Sequence, residues 1–244
     1  MAQPLYVETL VRCDADRVWH LTQAPELHPR WDLRFSAIEP TRRDAGGHQH
    51  FTYSLALPHP RAALLTVTGT GASTGERRDA RGHGTSALRF RPHGALSPLG
   101  EGSGYWRYVP TPQGVRFLTG YDYAPGWGRL GALLDPLVVR PAVGWATAWS
   151  FDRLRLWAQD GLDPAHARDR ALRDAGARAA AVVAGAALLA GGLRSRRPRE
   201  ALGGLVLAAA AVAWPVGPGT PSARRCRRRP PDRGSATAPA TLDG

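Results

Sequence analysis

Residues 114–157, GVRFLTGYDYAPGWGRLGALLDPLVVRPAVGWATAWSFDRLRLW, limit what this chain can fold into more than any other stretch. Val115, Phe117, Thr119, Tyr121 and Tyr123 alternate with Arg116, Leu118, Gly120 and Asp122, the period of a strand with one buried face. Pro125, Gly126 and Gly128 break that strand. Leu130, Leu133, Leu134, Leu137, Pro141, Trp145, Ala148 and Trp149 then recur at steps of three or four, the period of an amphipathic helix. Asp135-Pro136 and Arg140-Pro141 split this helix into a short piece and a longer one ending near Asp160. An aromatic strand feeding a long amphipathic helix implies a curved sheet that grips the helix, with apolar space between the two.

The residues upstream supply the rest of such a sheet. Leu5 to Arg12 alternates as a strand, Asp14 caps a helix over Ala15 to Gln23, and APELHPRWD forms a second short helix or turn. Further strands are predicted over Leu33 to Glu39, over Gln49 to Leu57 with Phe51, Tyr53, Leu55 and Leu57 on one face, over Ala63 to Gly71, and over Thr85 to Arg91. Gly102 to Val109 and Val115 to Tyr123 form a hairpin across TPQG. If Thr111 pairs with Gly114, Tyr108 faces Phe117 and Trp106 faces Thr119, which puts the aromatics on one side. The order predicts an antiparallel sheet with helices segregated to one face, an α+β class.

Composition sets the setting. The net charge is +12, yet the chain has no Lys and no Asn and its 32 basic residues are all Arg, the mark of GC-rich coding as much as of function. Cys13 and Cys226 are far apart and give neither a disulfide framework nor metal spacing, which fits a reducing, cytoplasmic setting. MAQPLYVETLVRC lacks a basic segment followed by a long apolar run and reads as a first strand, not a signal peptide.

Three stretches resemble the START-like superfamily, also called SRPBCC or the polyketide cyclase/dehydrase family, in the form of its actinobacterial members. DADRVWHLTQAPELHPRWD is similar to its opening segment with a His-x-x-Trp motif, GSGYWRYVPTPQGVRFLTGYDY to its late hairpin, and GWATAWSFDRLRLW to the end of its gripping helix. The resemblance implies a helix-grip fold over residues 1–163 with an apolar cavity between sheet and helix. Carried onto this chain, the cavity wall would comprise Trp31, Phe51, Tyr53, Phe90, Trp106 and Tyr108, with Phe117, Tyr121, Leu130, Leu134 and Trp145. The superfamily spans lipid carriers, polyketide aromatases and cyclases, and stress-response proteins, so the fold leaves the chemistry open.

Catalytic and metal signals are weak. His48 and His50 share a strand face without a third ligand at suitable spacing, and TGTGASTG is not a nucleotide loop, since no helix follows it. No cofactor or metal is therefore expected. By alternation Tyr121 faces inward while Asp122, Arg116 and Arg107 face outward, so no acid/base pair emerges inside, and no catalytic residue is assigned.

The composition changes near Ala175. A basic linker over 164–178 leads into two uncharged stretches, about 179–193 and 201–218, and then a basic disordered tail over 219–244. The first stretch makes a helix of about 22 Å, short for a bilayer core of about 30 Å unless Arg178 snorkels. Ala181 with Gly185 and Gly204 with Ala208 give small-residue spacing for close helix packing. Ten arginines flank the pair on its terminal sides (168, 170, 173, 178, 224, 225, 227, 228, 229 and 233) against four in the loop (194, 196, 197 and 199). That favours a membrane hairpin with the START-like domain and the tail on the cytoplasmic side of the cell membrane. Arg224, Arg225, Arg227, Arg228 and Arg229 are candidates to bind anionic lipid, whereas nucleic acid is disfavoured because no aromatics interleave them. The sequence thus predicts a membrane-tethered carrier of a hydrophobic molecule (lipid, isoprenoid or polyketide-like). The alternatives are a polyketide cyclase/dehydrase-like enzyme and a membrane-anchored protein-interaction module.

Overall fold

A computed structural model describes residues 4–56 and 66–239. The expected sheet position of Leu57, the start of the strand predicted from Ala63, and tail residues 240–244 lie outside the described residues. The chain divides into two compact units, one of residues up to Pro164 together with those from Ser222 onward, the other Ala165–Pro221.

The first unit is a seven-stranded antiparallel sheet: β1 (Leu5–Val11), β2 (Ala37–Arg43), β3 (Gln49–Ala56), β4 (Thr66–Arg78), β5 (Gly84–His93), β6 (Leu99–Thr111) and β7 (Gly114–Pro125). Their order is β1-β7-β6-β5-β4-β3-β2. Between β1 and β2 stand α1 (Ala15–Gln23), whose first turn Asp14 caps by accepting from the Arg17 amide at 2.7 Å, and α2 (His28–Trp31). After β7 come α3 (Gly128–Leu134), a π-helical turn over Asp135–Val139, and the long α4 (Arg140–Asp160). This is the helix-grip fold. The helix divides at the two prolines, and the hairpin register holds, with Thr111 opposite Gly114, Tyr108 opposite Phe117 and Trp106 opposite Thr119.

Two strand boundaries differ from the prediction. The strand expected at Leu33 starts at Ala37, because Asp32 accepts from the Arg34 amide at 3.0 Å and turns the backbone out of the extended path. β4 runs on to Arg78 through the glycine- and arginine-rich stretch read as a turn, with a bulge between Ser73 and Gly75.

The C-terminal segment does not behave as a free tail. Glu8 and Arg227 exchange both backbone hydrogen bonds at 2.9 Å, which covers the open edge of β1. Buried Asp152 of α4 accepts from the Ser222 amide at 2.8 Å and from Arg225 at 2.9 Å, and Cys226 is buried with its thiol on the Ala148 carbonyl. A short helix α7 (Arg233–Ala236) lies over the convex face. There Tyr105 donates to the Ser235 carbonyl, Arg107 donates to Gly234 and Thr237, and Arg116 pairs with Glu8. The described part of the segment read as disordered, 219–239, is thus largely built into the first unit. Arg225 pairs with Asp152 and the Arg227 backbone with Glu8, partners that lie far away in sequence.

The second unit is a helical pair, α5 (Pro164–Arg194) and α6 (Pro198–Ala213). α5 absorbs the stretch read as a linker, since nothing between 164 and 178 breaks a helix, and α6 ends before Trp214 and Pro215. A Cβ on Gly185 would overlap the Gly204 carbonyl region and Ala208, so the helices touch at the small residues. Arg178 donates to the carbonyls of Ala211 at 3.0 Å and Trp214 at 2.6 Å, closing the C-terminal end of α6. Among the described residues α5 alone is long and apolar enough to cross a membrane by length and composition.

Candidate functional site

The concave face of the sheet carries an unusual row. At one level across five strands stand Phe51, Gly71, Phe90, Gly102 and Tyr123, an alternation of aromatic and glycine. Beside it, Tyr53 pairs with Gly69. A Cβ on Gly71, Gly69 or Gly102 would overlap the rings of Phe51, Tyr53 and Phe90 respectively, so each ring lies down across its neighbouring strand. TGTG is therefore the bed on which two aromatic rings rest. Phe51, Tyr53 and Phe90 remain half-buried. The helices pack mainly elsewhere, α4 on β1, α1 on β6 and β7 with Trp19 reaching Gly84 at the start of β5, α2 on β2 and α3 on β7. The β3–β5 half of the concave face is thus an aromatic floor, and burial pushes the Tyr53 phenol up to about 12.

Toward β6 and β7 the same face is closed. Trp31, Tyr108, Phe117 and Phe151 are fully buried, with Phe117 stacked on Phe151 at 4.6 Å and tilted against Tyr108 at 5.1 Å. Trp106 stands edge-on to Phe117 at 5.7 Å. Of the predicted wall, Trp31, Tyr108 and Phe117 are core, Trp106 borders the core, and Phe51, Tyr53 and Phe90 form the floor. Leu134 packs against Tyr121, Tyr123 and Val139. Leu130 and Trp145, also expected at the wall, are 58% and 48% exposed. The π-helical turn inserts a residue between the two helical pieces, so a stripe drawn at 3.6 residues per turn does not stay on the inner face.

Between floor and core lies a polar cluster that alternation did not reveal. Asp32, fully buried, accepts from His28 Nε2 at 3.0 Å and from Arg34 Nε and Nη2 at 2.9 and 2.7 Å. The Arg34 guanidinium lies 5.5 Å from the Tyr121 ring centre, and the Tyr121 hydroxyl shares a 2.7 Å hydrogen bond with Thr147 of α4. His28 stacks on Trp31 at 4.8 Å and contacts Phe35 and Trp106. Burial pulls the Asp32 carboxyl up, but the Arg34 charge and the bonds from His28 and Arg34 outweigh it and hold the group well below the usual carboxylate range. Burial lowers His28 and raises Tyr121. The cluster therefore sets a carboxylate and a guanidinium beside a neutral imidazole and a neutral phenol. Sequence reasoning took His28 and Trp31 as a family signature and missed Asp32, Arg34 and Thr147. The available signal was the charged pair around Leu33, directly after His-x-x-Trp.

A second polar knot ties the ceiling to the sheet. Tyr123 donates to Asp135 at 2.7 Å, and Arg140 bonds Asp135 at 2.8 Å and Asp122 at 3.0 Å. On the opposite edge Asp44 lies 3.4 Å from His48 and 3.1 Å from His50. No cluster of three or more metal-ligating side chains occurs among the described residues. Of the five tail arginines expected at anionic lipid, Arg225 is committed to Asp152 and Arg227 to the bridge with Glu8 through its backbone, while the side chains of Arg224, Arg228 and Arg229 are exposed.

No family model matches this chain. It is 40% identical over 163 residues to an uncharacterized membrane protein, YndG, of Bacillus subtilis (strain 168), a match spanning 66% of this chain and 59% of that protein. Among solved structures it is similar to the Zhui aromatase/cyclase from Streptomyces sp. R1128, at 17% identity with a TM-score of 0.42, covering 58% of this chain and 87% of that one. It is also similar to a STAR-related lipid transfer protein fragment from Xanthomonas axonopodis, at 18% identity with a TM-score of 0.43, covering 62% and 82%.

Proposed function

We propose that this chain is a membrane-tethered helix-grip domain that binds a hydrophobic small molecule (a lipid, isoprenoid or polyketide-like compound) on the concave face of its sheet. The observation that carries the reading is the aromatic–glycine floor. Rings that lie flat on glycines leave apolar surface facing the helix side instead of filling it, and burying such surface against a ligand is favourable by about 25 cal/mol per Å². The Asp32–Arg34–Tyr121 cluster supplies a polar end that orients a ligand oxygen, in keeping with sites that are mostly apolar with a few placed polar groups.

Membrane anchoring draws on two supports. A relative 40% identical is a membrane protein, and α5 is long and apolar enough to cross. Pro164 and Ser222 both belong to the first unit, so residues 165–221 leave and return to one folded body. That connectivity supports an even number of crossings for an inserted pair. The hairpin is the reading, with the domain and tail cytoplasmic by the arginine distribution.

The test is mass spectrometry of organic extracts from the full chain purified in detergent. A recurring apolar species, lost in Phe90→Ala and Tyr53→Ala, is the expected result. A species retained by both variants, or an empty protein that also binds no fluorescent lipid, overturns the carrier reading and favours a protein-interaction module. The buried ionised cluster gives specific support to the cyclase/dehydrase-like reading, in which Tyr121 and Arg34 polarise a substrate oxygen. Tyr121→Phe separates the two. A carrier keeps its bound species, whereas an enzyme keeps binding and loses turnover.

A further inference from the structure

Trp127, Leu130, Leu133, Leu137, Val138 and Trp145 are all exposed, with Leu133 and Leu137 at 66% and 73%. From Ala132 to Ala146 the only charged side chains are Asp135 and Arg140, which pair with each other at 2.8 Å and turn inward. The outer face of α3, the π-helical turn and the start of α4 is thus an apolar ridge, with the exposed Arg129 close to its Trp127 end. It is not a loose segment, because its inner side packs Leu134, Val139 and Val143 against Tyr121 and Tyr123. A ridge of this kind marks an interaction surface.

Three observations favour a bilayer as its occupant. The ridge has tryptophan at both ends, the residue that settles at membrane interfaces. The Trp127 indole N–H is already bonded to the Ala95 carbonyl at 2.8 Å, so its ring can leave water without stranding a donor. The ridge also runs directly into the points where the membrane pair departs. Trp145 stacks on Trp149, and the Arg153 guanidinium lies 5.5 Å from the Trp149 ring centre; Arg153 also donates to the Pro164 carbonyl at 2.8 Å. The neighbouring Asp152 holds Ser222, where the chain returns. Both tether points are therefore held by α4, through Asp152 and Arg153, about 12 Å along the helix from Trp145.

We propose that this ridge is a second, interfacial membrane contact, in which Leu130, Leu133, Leu137 and Val138 enter the boundary between headgroups and acyl chains and Trp127 and Trp145 anchor its ends. The proposal rests on the membrane-anchored reading above. Because the inner side of the ridge roofs the Tyr121–Tyr123 end of the candidate site, the contact brings that end of the site to the lipid.

The test uses the full chain carrying Cys13→Ser and Leu137→Cys, labelled with an environment-sensitive fluorophore and reconstituted into phosphatidylcholine–phosphatidylglycerol vesicles. The expected result is blue-shifted emission, quenched by nitroxide lipids and spared by iodide, while the same label at Glu101→Cys stays aqueous. Quenching by iodide in a protein that resists carbonate extraction overturns the ridge contact and leaves the anchor standing. Protection that appears equally in detergent and rises with protein concentration assigns the ridge to a second copy and overturns the proposal. Release of the chain by carbonate overturns the anchor, and this proposal with it. A label-free check is loss of brominated-lipid quenching of tryptophan emission in the Trp127→Phe, Trp145→Phe variant; unchanged quenching overturns the contact.

Discussion

His28 is held neutral by burial among Trp31, Phe35 and Trp106, while its Nε2–H serves the Asp32 carboxylate. This has a signed consequence. In the unfolded chain the imidazole takes up a proton near its ordinary value of about 6.5, and the folded chain refuses that proton until lower pH. The stabilisation is therefore fully present above about 6.5 and is lost progressively as pH falls toward the lowered folded value. Asp32 adds to the loss in a lower window, because its depressed group stabilises the fold above about 4 and forfeits that stability as pH drops further. Melting temperature should decline from pH 7 to 5, and His28→Gln, which keeps an N–H donor without a titrating ring, should flatten that slope. An unchanged slope in the variant would show that other groups govern it. Arg34→Met leaves the Asp32 carboxylate buried with the His28 ring and the residue-34 amide but no counter-charge from residue 34, and should cost several-fold more than His28→Gln, on the order of 3–5 kcal/mol.

At the scale of elements, the returning C-terminal segment closes the first unit. It covers the β1 edge through Glu8 and Arg227, satisfies Asp152, and shields the convex-face cluster of Tyr6, Ala87, Tyr105 and Leu118. Arg225→Ala removes one partly exposed donor and should cost about 1 kcal/mol, since Arg155 and the Ser222 amide still serve Asp152. Truncation before Ser222 should lower the melting temperature far more and raise aggregation, because it frees a strand edge as well. A truncated chain as stable as the intact one would show that the segment is ornamental. What was legible in sequence also divides by element. The Thr111–Gly114 hairpin and the proline-split helix were readable because local spacing determines them. The tail was not, because its order depends on Glu8 and Asp152, distant in sequence, and arginine-rich composition by itself reads as solvated. The aromatic floor was half readable. Alternation placed Phe51, Tyr53 and Phe90 inward, but only strand register sets glycines beside them. The Asp32–Arg34 pair stayed hidden because it sits on a bend, where periodicity carries no information.

For the whole molecule the decisive constraint is connectivity. Pro164 and Ser222 are held by consecutive residues, Arg153 and Asp152, so the intervening 165–221 is an insertion within one folded unit. If α5 crossed the bilayer and α6 did not, Ser222 would be stranded on the far side from Asp152 and the sheet edge would stay open. On the hairpin reading, insertion and completion of the domain are coupled, and the short α6, about 24 Å as a helix, crosses with help from flanking residues or thinned lipid. Site-specific labelling in intact cells checks this directly. In a Cys13→Ser background, Ser195→Cys in the loop between the helices should react with a membrane-impermeant thiol reagent added outside. Arg228→Cys and Arg12→Cys should react only after the membrane is opened. Labelling of Arg228→Cys but not Arg12→Cys from outside would mean an odd number of crossings, and would contradict both the hairpin and the return of the tail to β1. Protection of all three until lysis would place 165–221 wholly on the inner side, and the helical pair would then be a surface element of a protein held at the membrane by other means.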